Sequence, residues 1–125
     1  MRLSLRQFEA LVGGVLDELP PLFARALDNI VVRVRPWPSR HDLDAAGLED
    51  GSLLLGLYHG IPLTERTGDY QMVAPDVISI YQGPIEQVTD GSAAAIRREI
   101  RITVLHEIAH YFGIDDDRLH ELGAY

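Results

Sequence analysis

The chain contains no cysteine and no lysine, so all eleven of its basic residues are arginine. Without thiols, disulfides and thiolate metal sites are excluded, and any metal must be held by imidazole and carboxylate. Basic charge is scarce: nineteen acidic residues against eleven arginines leave a formal net charge of -8. Such a surface repels phosphate backbones, and nucleic acid is not an expected partner. Arg97, Arg98 and Arg101 cluster locally, as do Arg33, Arg35 and Arg40; both groups read as solvated faces. No apolar run is long enough to span a membrane. At the N-terminus the apolar stripe Leu5, Phe8, Val12, Val15, Leu16 and Leu19 is broken by Gln7, Glu9, Asp17 and Glu18. This pattern reads as an amphipathic helix capped by Ser4 and not as a secretion signal, so a cytoplasmic location is expected. Repeats and low-complexity segments are absent as well.

What is present fits one domain, residues 1–125, able to bury about two thirds of its unfolded surface. Pro20 and Pro21 break the first helix and can open a second short one through Leu27. From Ile30 to Arg35 apolar residues alternate, predicting a half-buried strand that Pro36-Trp37-Pro38 ends. Trp37 is expected to plug the rim of the core. The polar segment to Gly51 is a loop with room for a helical turn. Leu53–Tyr58 and Val77–Gln82 read as two further strands, with the long loop GIPLTERTGDYQMVAP between them. The expected architecture is α+β: a small mixed sheet of three to four strands against N-terminal helices and one long helix. Strand 77–82 has two readings. As an edge strand it would accept an extended peptide by strand addition; as an internal one it would only fill the core.

The long helix carries the chemistry. His106-Glu107-Ile108-Ala109-His110, followed by Gly113 and Asp116, reads H-E-x-x-H-x-x-G-x-x-D. The apolar run Ile96, Ile100, Val104, Leu105 and Ile108 embeds the motif in a helical pattern. Residues four apart on a helix stand about 40° apart and one turn displaced, so both imidazoles can reach one metal ion. Glu107 is rotated off that line, where its carboxylate can act as general base on a water at the metal. A catalytic zinc takes three protein ligands and keeps one position open. A helix ending near Phe112 would place Gly113 where a left-handed residue reverses the chain. Asp116 is then carried back beneath the metal as the first choice of third ligand. His120 is the second choice, on a short helix from Asp115 to Leu122, and Glu121 lies too close for the pattern that uses a glutamate there. With Asp116 on the metal, His120, Tyr81 and Tyr111 become candidates to polarise the substrate carbonyl, beside their plainer reading as packed or helix-end residues.

The segments HEIAHYFGIDDDRLHELG, LLLGLYHGIPLTERTGDY and VISIYQGPIE resemble the small bacterial zincin-like metallopeptidase family, from about Gln7 to Tyr125. The resemblance implies a minimal zincin, with Zn²⁺ on His106, His110 and Asp116, Glu107 as catalytic base, and a peptide or protein as substrate. Metzincins share the spacing but carry a methionine turn after the third ligand; here Met1 and Met72 both precede the motif and nine residues follow Asp116. Two alternatives remain open. The bacterial endoribonucleases that mature ribosomal RNA hold zinc with three histidines at the same spacing, whereas this chain has Glu107 and Asp116. A non-catalytic module would use the metal only to staple the C-terminal segment to the helix.

Overall fold

The computed structural model describes residues 3–65 and 76–121, apart from the side chains of Leu63, Leu119 and His120. Ser4 opens the first helix, α1 (Leu5–Asp17): its side chain accepts the Gln7 N–H while the Gln7 side chain reaches back to the Ser4 N–H. This capping box satisfies two otherwise unpaired donors. Pro21 begins α2 (Pro21–Ala26), since a first helical turn has no use for the missing N–H. A short 3-10 turn leads into β1 (Ile30–Arg35), and a second capping box, on Ser39 and Asp42, starts α3 (Arg40–Ala45). Then follow β2 (Gly56–His59), β3 (Asp76–Tyr81), α4 (Gln82–Gln87), α5 (Ala93–Tyr111) and α6 (Asp116–Glu121).

The strands form one mixed sheet in the order β1-β3-β2, with β3 parallel to β1 and antiparallel to β2. This corrects the edge placement of strand 77–82: it is the central strand, hydrogen-bonded on both sides, and cannot receive a peptide. The edge beside α5 belongs to β2. Two boundaries also shift. Gln82 begins a helix instead of ending a strand, because Pro84 is tolerated in a first turn and the Gly83 N–H is taken by the Pro36 carbonyl at 2.8 Å. Once β3 ends at Tyr81, residues 53 and 54 have no strand opposite them. The ladder closes with the Tyr81 N–H on the Leu55 carbonyl at 3.0 Å, and β2 is shorter than the apolar run Leu53–Tyr58 suggests.

One face of the sheet and α1 enclose α5. Ile78 and Ile80 of β3, Ile30 of β1, Phe8, Val12 and Val15 of α1 and Ile96, Ile100, Val104 and Ile108 of α5 make the core. Buried α5 positions 96, 100, 103, 104, 107, 108 and 111 form a stripe of helical period, with Ala109 buried beside it. Glu107 falls on this stripe. Trp37 is 47 % exposed, its ring lying over Gly83 at the start of α4. None of the described helices is long and apolar enough to cross a membrane.

Candidate metal centre

Periodicity places Glu107 in the interior and sets His106 and His110 at the margin of the buried stripe, with side chains 17 % and 27 % exposed. Both rings turn their Nε2 atoms to one point. Asp116 Oδ1 lies 2.9 Å from His106 Nε2 and 2.8 Å from His110 Nε2. His106, Glu107 and His110 offer ligand atoms within 4.8 Å of one another, so the whole group could hold one ion. Bond lengths of 2.0–2.2 Å in a tetrahedral zinc site put ligand atoms about 3.4 Å apart. The two Asp116–histidine separations would therefore open by about half an ångström on a bound ion, and Asp116 is 63 % exposed on a six-residue helix.

The reversal that delivers Asp116 is a Schellman turn. Gly113 takes φ +88°, the Gly113 N–H donates to the His110 carbonyl and the Ile114 N–H to the Ala109 carbonyl, both at 2.9 Å. A side chain at Gly113 would collide with Thr64, so the glycine also lets the segment after β2 close over the turn. Asp115 caps α6 by accepting the Arg118 N–H at 2.9 Å, and its neighbour Asp116 faces the histidines.

Glu107 is only 5 % exposed, yet its carboxylate has defined partners. Oε1 accepts the Tyr58 N–H at 2.8 Å and meets His110 Nδ1 at 3.3 Å; Oε2 is 3.9 Å from His106 Nε2. The antiparallel alternation explains the first contact. Since Leu55 faces β3 through its backbone, residues 56 and 58 turn theirs to the open edge, where Glu107 meets one of those donors. Gly56 makes the approach possible: a Cβ there would sit 2.5 Å from Thr103 Cγ2 and 3.1 Å from the Ser79 carbonyl. Hydrogen bonding to Glu107 raises the His110 pKa to about 9 against the opposing effect of burial, with Asp116 adding to the rise.

Of the residues proposed to assist at the carbonyl, Tyr81 is placed elsewhere. It is fully buried, and its hydroxyl donates to Asp42 Oδ2 at 2.8 Å, on the sheet face opposite α5. Burial and that bond push its phenol well above the ordinary range, which suits a fixed donor and not a proton source. Tyr111 is 3 % exposed and packs edge-on against Tyr58 with ring centroids 6.1 Å apart. The His120 side chain lies outside the described residues, as do positions 66–75 of the long loop. Two contributors escape a reading of the motif alone: the Tyr58 backbone, and Asp76, 2 % exposed, whose Oδ2 accepts the Tyr58 hydroxyl at 2.9 Å. Gly56 inside an apolar strand is the one sequence signal that pointed there, because such a glycine marks close backbone approach.

Comparison with known proteins gives one family. The model for zincin-like metallopeptidases matches residues 27–124, leaving out α1 and α2. No curated protein matches the chain.

Proposed function

The chain belongs to the zincin-like metallopeptidases, and on that premise we propose that it is a zinc-dependent peptidase with His106, His110 and Asp116 as ligands and Glu107 as general base. One observation carries the reading: two Nε2 atoms and the Asp116 carboxylate converge beside a buried carboxylate whose orientation is set by the Tyr58 N–H. The donor set, two imidazoles and one carboxylate with no thiolate, suits zinc at a site that keeps a position open for reaction. Bound zinc would supply Lewis-acid polarisation of the scissile carbonyl and would acidify water. Glu107 removes the proton from the attacking water through the oxygen that faces His106, and later delivers it to the leaving amine. Its other oxygen stays on the Tyr58 N–H, so the base does not have to reorient between the two transfers.

The substrate lies along β2. Gly56 directs its backbone groups away from β3 at the sheet edge beside α5, and an extended peptide added there would bring a carbonyl to the metal group. Main-chain hydrogen bonds would then contribute much of the affinity.

Metal content and hydrolysis of a peptide mixture, measured together on wild type, His106→Ala and Glu107→Gln, test the proposal. About one zinc per chain and cleavage in wild type, neither in His106→Ala, and zinc without cleavage in Glu107→Gln are expected. Full cleavage by Glu107→Gln would remove the mechanism. Zinc binding without cleavage by any of the three would favour a metal that only staples α6 to α5.

A further inference from the structure

The Glu107 carboxylate stands close to being a ligand itself. Two grooves reach the metal group, one of about 250 Å³ ending on His106 and Glu107 and one of about 320 Å³ ending on His110. In a tetrahedral site a fourth donor lies about 3.4 Å from each of the others. Oε2 is 3.9 Å from His106 Nε2, about half an ångström beyond that separation, and Glu107 belongs to the group of side chains able to share one ion. A bound divalent cation is often the largest charge in such a site and attracts a carboxylate beside it. Drawn in, Glu107 would fill the position that a substrate needs and could no longer accept a proton. Its service as a base therefore requires a restraint.

That restraint is the Tyr58 N–H on Oε1 at 2.8 Å, since a carboxylate is rigid and holding one oxygen holds the other. Tyr58 sits in a strand of four residues with a single partner strand, β3, so the ladder alone fixes its backbone weakly. Its side chain adds two anchors. The ring packs edge-on against Tyr111 of α5, and the hydroxyl donates to Asp76 Oδ2 at 2.9 Å. Asp76 is buried at the start of β3, and it shares a sheet face with Ile78, which stands opposite Tyr58. Gly60 leaves room for the bond: a Cβ there would lie 2.6 Å from Asp76 Oδ1 and 2.7 Å from the Tyr58 hydroxyl.

Resting on the peptidase reading, we infer that Asp76 and Tyr58 are positioning residues that keep Glu107 off the metal, so that it acts as base and not as a fourth ligand. Their bond ties β2 to β3 at the residue whose N–H holds the base. Without it the N–H turns away, Oε1 loses its donor and the carboxylate swings inward. Metal affinity then rises while catalysis falls. A merely structural role would lower both, because a loosened fold holds its ligands less well.

The test is zinc affinity, by competition with a chelator, for full-length wild type, Tyr58→Phe, Glu107→Gln and the double variant. Tyr58→Phe keeps the ring and the backbone N–H and removes only the hydroxyl. It should bind zinc about ten-fold more tightly than wild type, and the gain should vanish beside Glu107→Gln, whose amide is a poor ligand. For a peptide that wild type cleaves, kcat should fall by about ten- to a hundred-fold with KM within about two-fold. Asp76→Ala and Gly60→Ala, which break the same bond from its other end and from beside it, should repeat the pattern. Equal or weaker zinc binding by Tyr58→Phe, a gain that survives Glu107→Gln, or an unchanged kcat would overturn the inference. If wild type holds zinc but cleaves no peptide, the peptidase reading falls, and the affinity gain, present or absent, still decides this inference.

Discussion

Two polar clusters, one on each face of the same sheet, share aspartate, histidine and tyrosine and do different things. On the α5 face, Glu107, His106, His110 and Asp116 gather beside Tyr58; on the opposite face, Asp42, His59, Ser79 and Arg33 gather beside Tyr81. In the second cluster the polar atoms pair with one another. Tyr81 and Ser39 hold Asp42, Arg33 Nε donates to Ser79 Oγ at 2.7 Å, and His59 Nε2 stands 3.5 Å from that hydroxyl. In the first, three donor atoms of separate side chains point to one place with two grooves leading to it. The histidines record the difference. Glu107 raises the pKa of His110, whereas burial lowers that of His59, with Asp42 opposing and Arg33 reinforcing. A cluster becomes a site when its acceptors converge and stay accessible, not when it contains the right residue names.

The largest effect expected to sharpen this contrast is at Glu107. Glu107→Gln retains the Tyr58 contact and the metal but removes the base, and peptide hydrolysis should fall by about 10²- to 10⁴-fold in a steady-state assay at unchanged zinc content. Tyr81→Phe is the matching change on the other face. It should leave zinc content and hydrolysis unaltered and lower the unfolding free energy by about 1–3 kcal/mol, because Asp42 loses a buried partner. A loss of metal in Tyr81→Phe would show that the two clusters are coupled through β3.

Next is Gly56→Ala, which forces a methyl group against Thr103 and displaces α5 from β2. Overpacking of this kind costs about 1–3 kcal/mol, visible in denaturant unfolding, and should also weaken catalysis by disturbing the Tyr58–Glu107 bond. Unchanged stability would mean that the helix can withdraw from the strand without loss.

The pH dependence of the two histidines has opposite sign. His110 has its pKa raised from 6.5 to about 9. Its proton therefore stabilises the metal-free fold fully below pH 6.5, and that contribution is lost as pH rises through about 9. A zinc ion on His110 would have to displace this proton, so affinity should strengthen by up to about ten-fold per pH unit across that window, measured by competition with a chelator. His59 has its pKa lowered, so protonation below 6.5 destabilises the fold. The smallest effect is expected here: His59→Gln should reduce the loss of metal-free stability on acidification below pH 6.5 and leave the alkaline limb unchanged. An unchanged acid limb in thermal unfolding would assign that loss to other groups.

Much of the first cluster was legible in the residues themselves. The i, i+4 histidines, the stripe that buries Glu107 and the glycine that reverses the chain all depend on the geometry of one helix and its end. The helix caps at Ser4, like the alternation of Ile30–Arg35, are local for the same reason. The role of Tyr81 was not legible. A tyrosine near the start of the metal-bearing region looks the same whether its hydroxyl faces the metal or Asp42, and only its register in β3, which turns it to the far face, separates the two.

What the sequence determined alone is what helical period and chain stiffness determine: a buried carboxylate between two imidazoles, and a turn that brings an aspartate back within a few residues. The tertiary structure decided which strand is the edge. Strand order depends on pairings between residues tens of positions apart, chosen by how the whole sheet covers α5, and no short window of sequence contains that information. By seating β3 in the middle, it made β2 the edge beside α5, put the Tyr58 N–H on Glu107, and laid one groove on either side of the metal group.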